Sequence, residues 1–105
     1  MASAPAPELL EGYARRISEA LGRYKEYPRA AQMRGWQGSV TMRLQVASTG
    51  RLIDAQLYSS SGHDVLDKEA LALARKTERL PAPPDGLRDG DIVVLVPIVF
   101  RLESP

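Results

Sequence analysis

The sequence predicts an α+β domain in which a three-stranded antiparallel sheet carries helices on one face, in the order α-α-β-β-α-β. Three patterns carry that expectation. Apolar residues recur every three or four positions between Glu8 and Lys25, as on one side of a helix. They alternate with polar residues from Val40 to Val46, as in a strand with one wet face. From Asp91 to Leu102 they form a nearly continuous run, broken by Pro97, which marks a last strand.

In the first helix Leu10, Tyr13, Ile17, Leu21 and Tyr24 make the apolar stripe, with Ala14 and Ala20 beside it. Glu11, Arg15, Arg16, Glu19, Arg23 and Lys25 make the other face, and a solvated face is the default reading of such charges. Pro28 ends this helix, because the residue before a proline is pushed out of the α region. Proline suits the first position of a helix, so a short second helix is expected from Pro28 to Met33, closed by Gly35. Trp36, between Gly35 and Gly38, is expected to plug the core at the start of the first strand. Val40, Met42, Leu44 and Val46 are the buried side of that strand, and Ser48-Thr49-Gly50-Arg51 is the turn. The second strand, Leu52 to Ser59, places Ile53, Ala55 and Leu57 on one face; Leu52 has the opposite parity, which suggests a bulge near the turn. Ser60-Ser61-Gly62 ends it. Asp64 is expected to cap the next helix, with Leu66, Ala70, Leu73, Ala74 and Thr77 on its apolar side. Leu80-Pro81-Ala82-Pro83-Pro84 cannot continue a helix.

The last strand holds the strongest functional signal. Ile92, Val94, Val96, Ile98, Phe100 and Leu102 share the face expected to meet the helices, and Val93, Leu95, Pro97, Val99 and Arg101 share the other. Apolar residues on both faces usually mark a central strand, but proline donates nothing to a ladder and is confined to edges and bulges. With Pro97 on a free side, the backbone groups of Val93, Leu95, Val99 and Arg101 face that side too. Such an edge invites a partner that adds a strand. The alternative is a bulge at Pro97 with the edge covered by a terminal segment.

The chain has 105 residues, enough for one domain with little stability to spare. Its 14 basic and 13 acidic residues nearly cancel, so there is no electrostatic footprint for nucleic acid. There is no cysteine, which excludes disulfides and cysteine metal sites and suits cytoplasm and periplasm alike. His63 is the sole histidine, and a structural role beside the helix start outweighs a ligand role. Ser59 to Ser61 with His63 and Asp64 are too close in sequence for triad geometry, and no nucleophile elbow is present. The scattered glycines make turns rather than a phosphate loop. No enzyme, cofactor or metal is therefore expected. Residues 1–7 are small and Pro/Ala-rich, without the charge and apolar core of a signal peptide, and read as the end of a stiff linker before a domain at residues 8–105. The chain is accordingly expected to be the last part of a longer protein, with Met1 added.

Six elements then stand in a known order: Tyr27-Pro28-x-x-Ala31, Gly38-Ser39-Val40, Gly50-Arg51-Leu52, Ser60-Ser61-Gly62-His63-x-x-Leu66-Asp67, the Pro-rich loop, and Pro97-Ile98-Val99-Phe100-Arg101-Leu102. Together they resemble the C-terminal domain family of TonB, the energy transducer of Gram-negative bacteria. The resemblance implies a periplasmic domain carried by an inner-membrane anchor through a Pro-rich linker. It implies as partners the TonB box of outer-membrane receptors, which pairs with the last strand, and a proton-driven inner-membrane motor. Siderophores, haem or vitamin B12 would be the cargo. Tyr27 and Pro28 match the family's Tyr-Pro segment near the receptor, with Arg29, Tyr24 and Glu26 as neighbours. The family's best-known member has a glutamine-rich stretch where Tyr24-Lys25-Glu26 stands, which bears on receptor choice rather than mode. The rival readings are a strand-paired homodimer acting as an envelope scaffold, and a TolA-like module using the same edge. The sequence leaves open whether the first helix docks on the sheet without a partner.

Overall fold

In the computed structural model, which describes residues 7–77 and 79–102, β1 (Gly38–Val46) is the centre of the sheet. It is flanked by β2 (Leu52–Ser59) and β3 (Ile92–Phe100), both antiparallel, in the order β2-β1-β3. Val40, Met42, Leu44 and Val46 are fully buried, the inward half of the alternation. α1 (Pro7–Gly22) lies against β3, and α3 (Asp64–Lys76) against β1 and β2. Tyr13, Ile17 and Leu21 from α1 meet Leu66, Ala70, Leu73 and Ala74 from α3 in one core. The element order is the one expected, with a 3-10 turn, Asp85–Leu87, added before β3.

Local departures from the sequence reading have local causes. α1 opens at Pro7, a residue favoured in the first turn because the missing N–H would be unbonded anyway. Of the segment expected as linker, residues 1–6 lie outside the described residues. The helix stops at Gly22, and Tyr24 and Lys25 leave it through turn bonds to Leu21 and Gly22. α2 (Arg29–Arg34) begins just after Pro28 and ends at Gly35, whose φ of 69° lets Gly35 and Trp36 bond back to Gln32 and Ala31. β2 carries the bulge: Val46 pairs with Leu52 and Gln45 with Asp54, so Ile53 is skipped. Ile53 is therefore turned out, Leu52 and Ala55 point in, and Leu57 is exposed at the sheet's end. Asp64 does not cap α3: His63 occupies that position, without a side-chain cap bond. Thr77 closes the helix rather than lining its apolar side, its hydroxyl bonding the Leu73 carbonyl at 3.0 Å. Trp36 is half-buried at the core's rim, stacked on His63 with ring centres 4.9 Å apart.

Asp67 is the buried polar residue that organises this corner. Its carboxylate accepts from the Ser60 hydroxyl, and at 2.9 Å from both the Ser61 N–H and the Ser61 hydroxyl. Burial works against its ionisation, but those bonds, with His63 nearby, outweigh it and hold the carboxyl below its ordinary value. The serine pair is thus a loop clamp. Ser61 in turn sits so close to Gly38 that a Cβ there would lie 2.8 Å from the Ser61 carbonyl oxygen.

Candidate functional site

β3 is bonded on one side only. Its register on β1 runs unbroken from Gly38–Phe100 to Val46–Ile92, with Thr41 opposite Pro97. The bulge considered for Pro97 is absent from this ladder. Even-numbered Val94, Val96, Ile98 and Phe100 are buried under the helices, as expected. Odd-numbered Val93, Leu95 and Val99 are 42%, 42% and 44% exposed, and Pro97 is exposed between them.

The outward direction of the odd-numbered backbone is visible from its partners. The Pro97 carbonyl accepts from the Ser18 hydroxyl at 2.6 Å, and the Val99 carbonyl accepts from Lys25 Nζ. Both donors belong to or follow α1, not β1. Groups two residues apart in a strand point the same way, so Val93 and Leu95 also direct N–H and C=O away from β1. The missing N–H of Pro97 faces out, and the ladder to β1 loses no bond to it. Beside the N-terminal half of this edge, Leu10, Glu11, Ala14 and Arg15 of α1 form one wall of a largely apolar groove of about 490 Å³.

The two sequence-expected segments meet at the far end of β3. Tyr27 is half-buried, its ring edge-on to Phe100 at 5.5 Å, and its hydroxyl bonds the Trp36 carbonyl. Burial raises the Tyr27 pKa above its ordinary value. Pro28 is half-buried beside it, and Arg29 is exposed. Tyr24, 71% exposed, and Glu26 flank Lys25, and with it and Arg23 they line a second groove against Leu73, Lys76 and Thr77 at the end of α3. Arg101 falls outside β3, because the pairing ends at Gly38–Phe100; the Leu102 N–H is taken by Gln37 Oε1 at 2.7 Å. Ser18 was invisible as a site residue and Lys25 read as solvated. The one available signal was that both are polar, Ser18 within α1 and Lys25 three residues past its end. Among the described residues no three of His, Asp or Glu are grouped to hold a metal ion.

These features define a small α+β domain whose last strand, one of the sheet's two edges, carries a proline and is flanked by a helix and a Tyr-Pro turn. The chain belongs to the family described as Gram-negative bacterial TonB protein C-terminal, whose model matches residues 23–102. Among curated relatives, the TonB protein of Pseudomonas putida is 34% identical over 84 residues, 79% of this chain. The match spans 35% of that relative's length. Among solved structures, the Helicobacter pylori TonB C-terminal domain superimposes with a TM-score of 0.73 at 20% identity, covering 99% of this chain and 100% of that one. The Pseudomonas aeruginosa TonB C-terminal domain gives 0.57 at 27% identity, covering 77% and 81%.

Proposed function

We propose that this chain is the periplasmic receptor-binding domain of a TonB-like energy transducer. Its last strand takes the TonB box of an outer-membrane receptor as an added strand. Pull from a proton-driven inner-membrane motor then passes through that pairing to the receptor, for uptake of a siderophore, haem or vitamin. No helix of the described residues is long and apolar enough to cross a membrane, so the anchor of this reading lies outside them. The observation that carries the reading is the free edge of β3, with Val93, Leu95, Pro97 and Val99 facing away from β1 and half-exposed. Tyr27 and Pro28 border its far end through Phe100, and Arg29 follows them on the surface. In the same reading Arg101 extends the edge, while Tyr24 and Glu26 stand one groove away and meet the receptor only beyond the paired strand.

Backbone bonds of about 0.5–1.5 kcal/mol each must offset the ordering of a flexible peptide, which gives roughly micromolar affinity and permits release. Main-chain pairing also tolerates differing box sequences. The test is a backbone NMR titration with a TonB-box peptide. Shifts concentrated in residues 91–102, with Tyr27 responding, are expected; silence at millimolar peptide would sink the reading. A strand-paired homodimer is the second reading, favoured by the exposed apolar side chains of Val93, Leu95 and Val99. Sedimentation across a concentration series separates the two.

A further inference from the structure

The free edge of β3 is not uniform. At Val93 and Leu95 each residue offers an outward N–H and C=O, and among the described residues no side chain bonds them. At Pro97 only a carbonyl is available, and Ser18 holds it at 2.6 Å. At Val99 the carbonyl is held by Lys25, whose ammonium also lies 5.5 Å from the centre of the Phe100 ring. An added strand would place its own N–H about 2.9 Å from each outward carbonyl. Ser18 Oγ and Lys25 Nζ already bond the carbonyls of Pro97 and Val99, so an added strand competes with them there. The two side chains are not needed to dock α1, which Tyr13, Ile17 and Leu21 anchor in the core.

The geometry points to a divided edge: a partner strand starts on Val93 and Leu95, and Ser18 with Lys25 latches the half at Pro97 and Val99 until it is displaced. This rests on strand addition as the mode of partner binding and gives it a starting register and a gate. The apolar groove beside the open half fits the same occupant. A strand laid along Val93 and Leu95 turns alternate side chains toward Leu10 and Ala14, so an extended segment with an apolar residue at that position is the partner the site selects. The latch lies where the edge is poorest for a strand, since Pro97 cannot donate to one. Side-chain donors there blunt the edge against unwanted pairing.

The test compares the natural chain with a Ser18→Ala/Lys25→Met double variant, one residue in α1 and one just after it, both outside the core. Each is titrated with the TonB-box peptide by NMR, and self-association is followed in parallel by sedimentation without peptide. In the natural chain the Val93 and Leu95 amides should respond at lower peptide concentration than Val99 and Arg101. In the variant all four should respond together and binding should tighten about fivefold, as expected for removing two solvent-exposed competing bonds. Equal affinities, identical response order and unchanged self-association would overturn the latch. Stronger self-association of the variant with no peptide binding by either protein would keep the latch and overturn the receptor reading instead.

Discussion

Replacing Leu95 by proline removes one outward N–H from β3 and nothing from the ladder to β1. The register puts Leu95 opposite Arg43, at the same parity as Pro97, which the strand already accommodates. The preceding residue, Val94, is extended, as a residue before proline must be. Folding stability should therefore fall by no more than about 1 kcal/mol beyond that of Leu95→Ala, the control for losing a side chain that is 42% exposed. Val96→Pro, at the opposite parity, removes a ladder bond to β1 and leaves a buried carbonyl unpaired, and should cost about 1–3 kcal/mol more than Leu95→Pro. Against a TonB-box peptide, the one missing backbone bond is worth about 0.5–1.5 kcal/mol, a roughly 2- to 13-fold weaker Kd than Leu95→Ala. Urea unfolding and fluorescence anisotropy with labelled peptide measure the two effects. Leu95→Pro unfolding as readily as Val96→Pro, or binding as well as Leu95→Ala, would refute the assigned edge direction.

Other outcomes follow from the same contacts. Asp67→Asn should lose about 1–3 kcal/mol at neutral pH, the cost of weakening a carboxylate's bonds to Ser60 and Ser61. Because the folded-state pKa of Asp67 is lowered, its contribution is present above the unfolded value and lost as pH falls through the folded one, so the two proteins' unfolding free energies should converge in acid. Gly38→Ala drives a Cβ to 2.9 Å from the Ser61 Cβ and should cost about 1–3 kcal/mol while loosening the Trp36–His63 stack, read by tryptophan fluorescence. Tyr13, buried with its hydroxyl donating to the Pro81 carbonyl at 2.7 Å, has its pKa pushed up to about 12 by desolvation, against a smaller opposing effect of Arg16. Ultraviolet titration should show Tyr13 ionising near that pH, and Tyr13→Phe should remove that step while the raised ionisation of Tyr27 remains.

The fold was legible because most of its elements are written in short-range periodicity. The stripes through Tyr13, Ile17 and Leu21 and through Leu66, Ala70 and Leu73, and the alternation from Val40 to Val46, each report which side of an element is apolar. Misreadings fell where competition between nearby groups decided the outcome. Asp64 and Asp67 are both plausible partners for the start of α3, and the clamp on Ser60 and Ser61 selected Asp67. Ile53 shares parity with Ala55, and a bulge of one residue reversed its direction. Trp36 packs against the core as expected, but only in part, because its ring also stacks on His63 with the Arg34 guanidinium over it.

What the sequence determined alone was the kind of domain and the condition on its last strand: Pro97 in an apolar run is compatible with an edge or a bulge and not with a regular central strand, since proline has no N–H to give. The tertiary structure decided what stands beside that edge. Ser18 and Lys25 reach Pro97 and Val99 across separations of 79 and 74 residues, and local periodicity says only that Ser18 is off α1's apolar stripe and that Lys25 is polar. Which neighbour a polar side faces is set by how the apolar sides pack, and only the docking of Tyr13, Ile17 and Leu21 into the shared core brings those two donors to the free edge of β3.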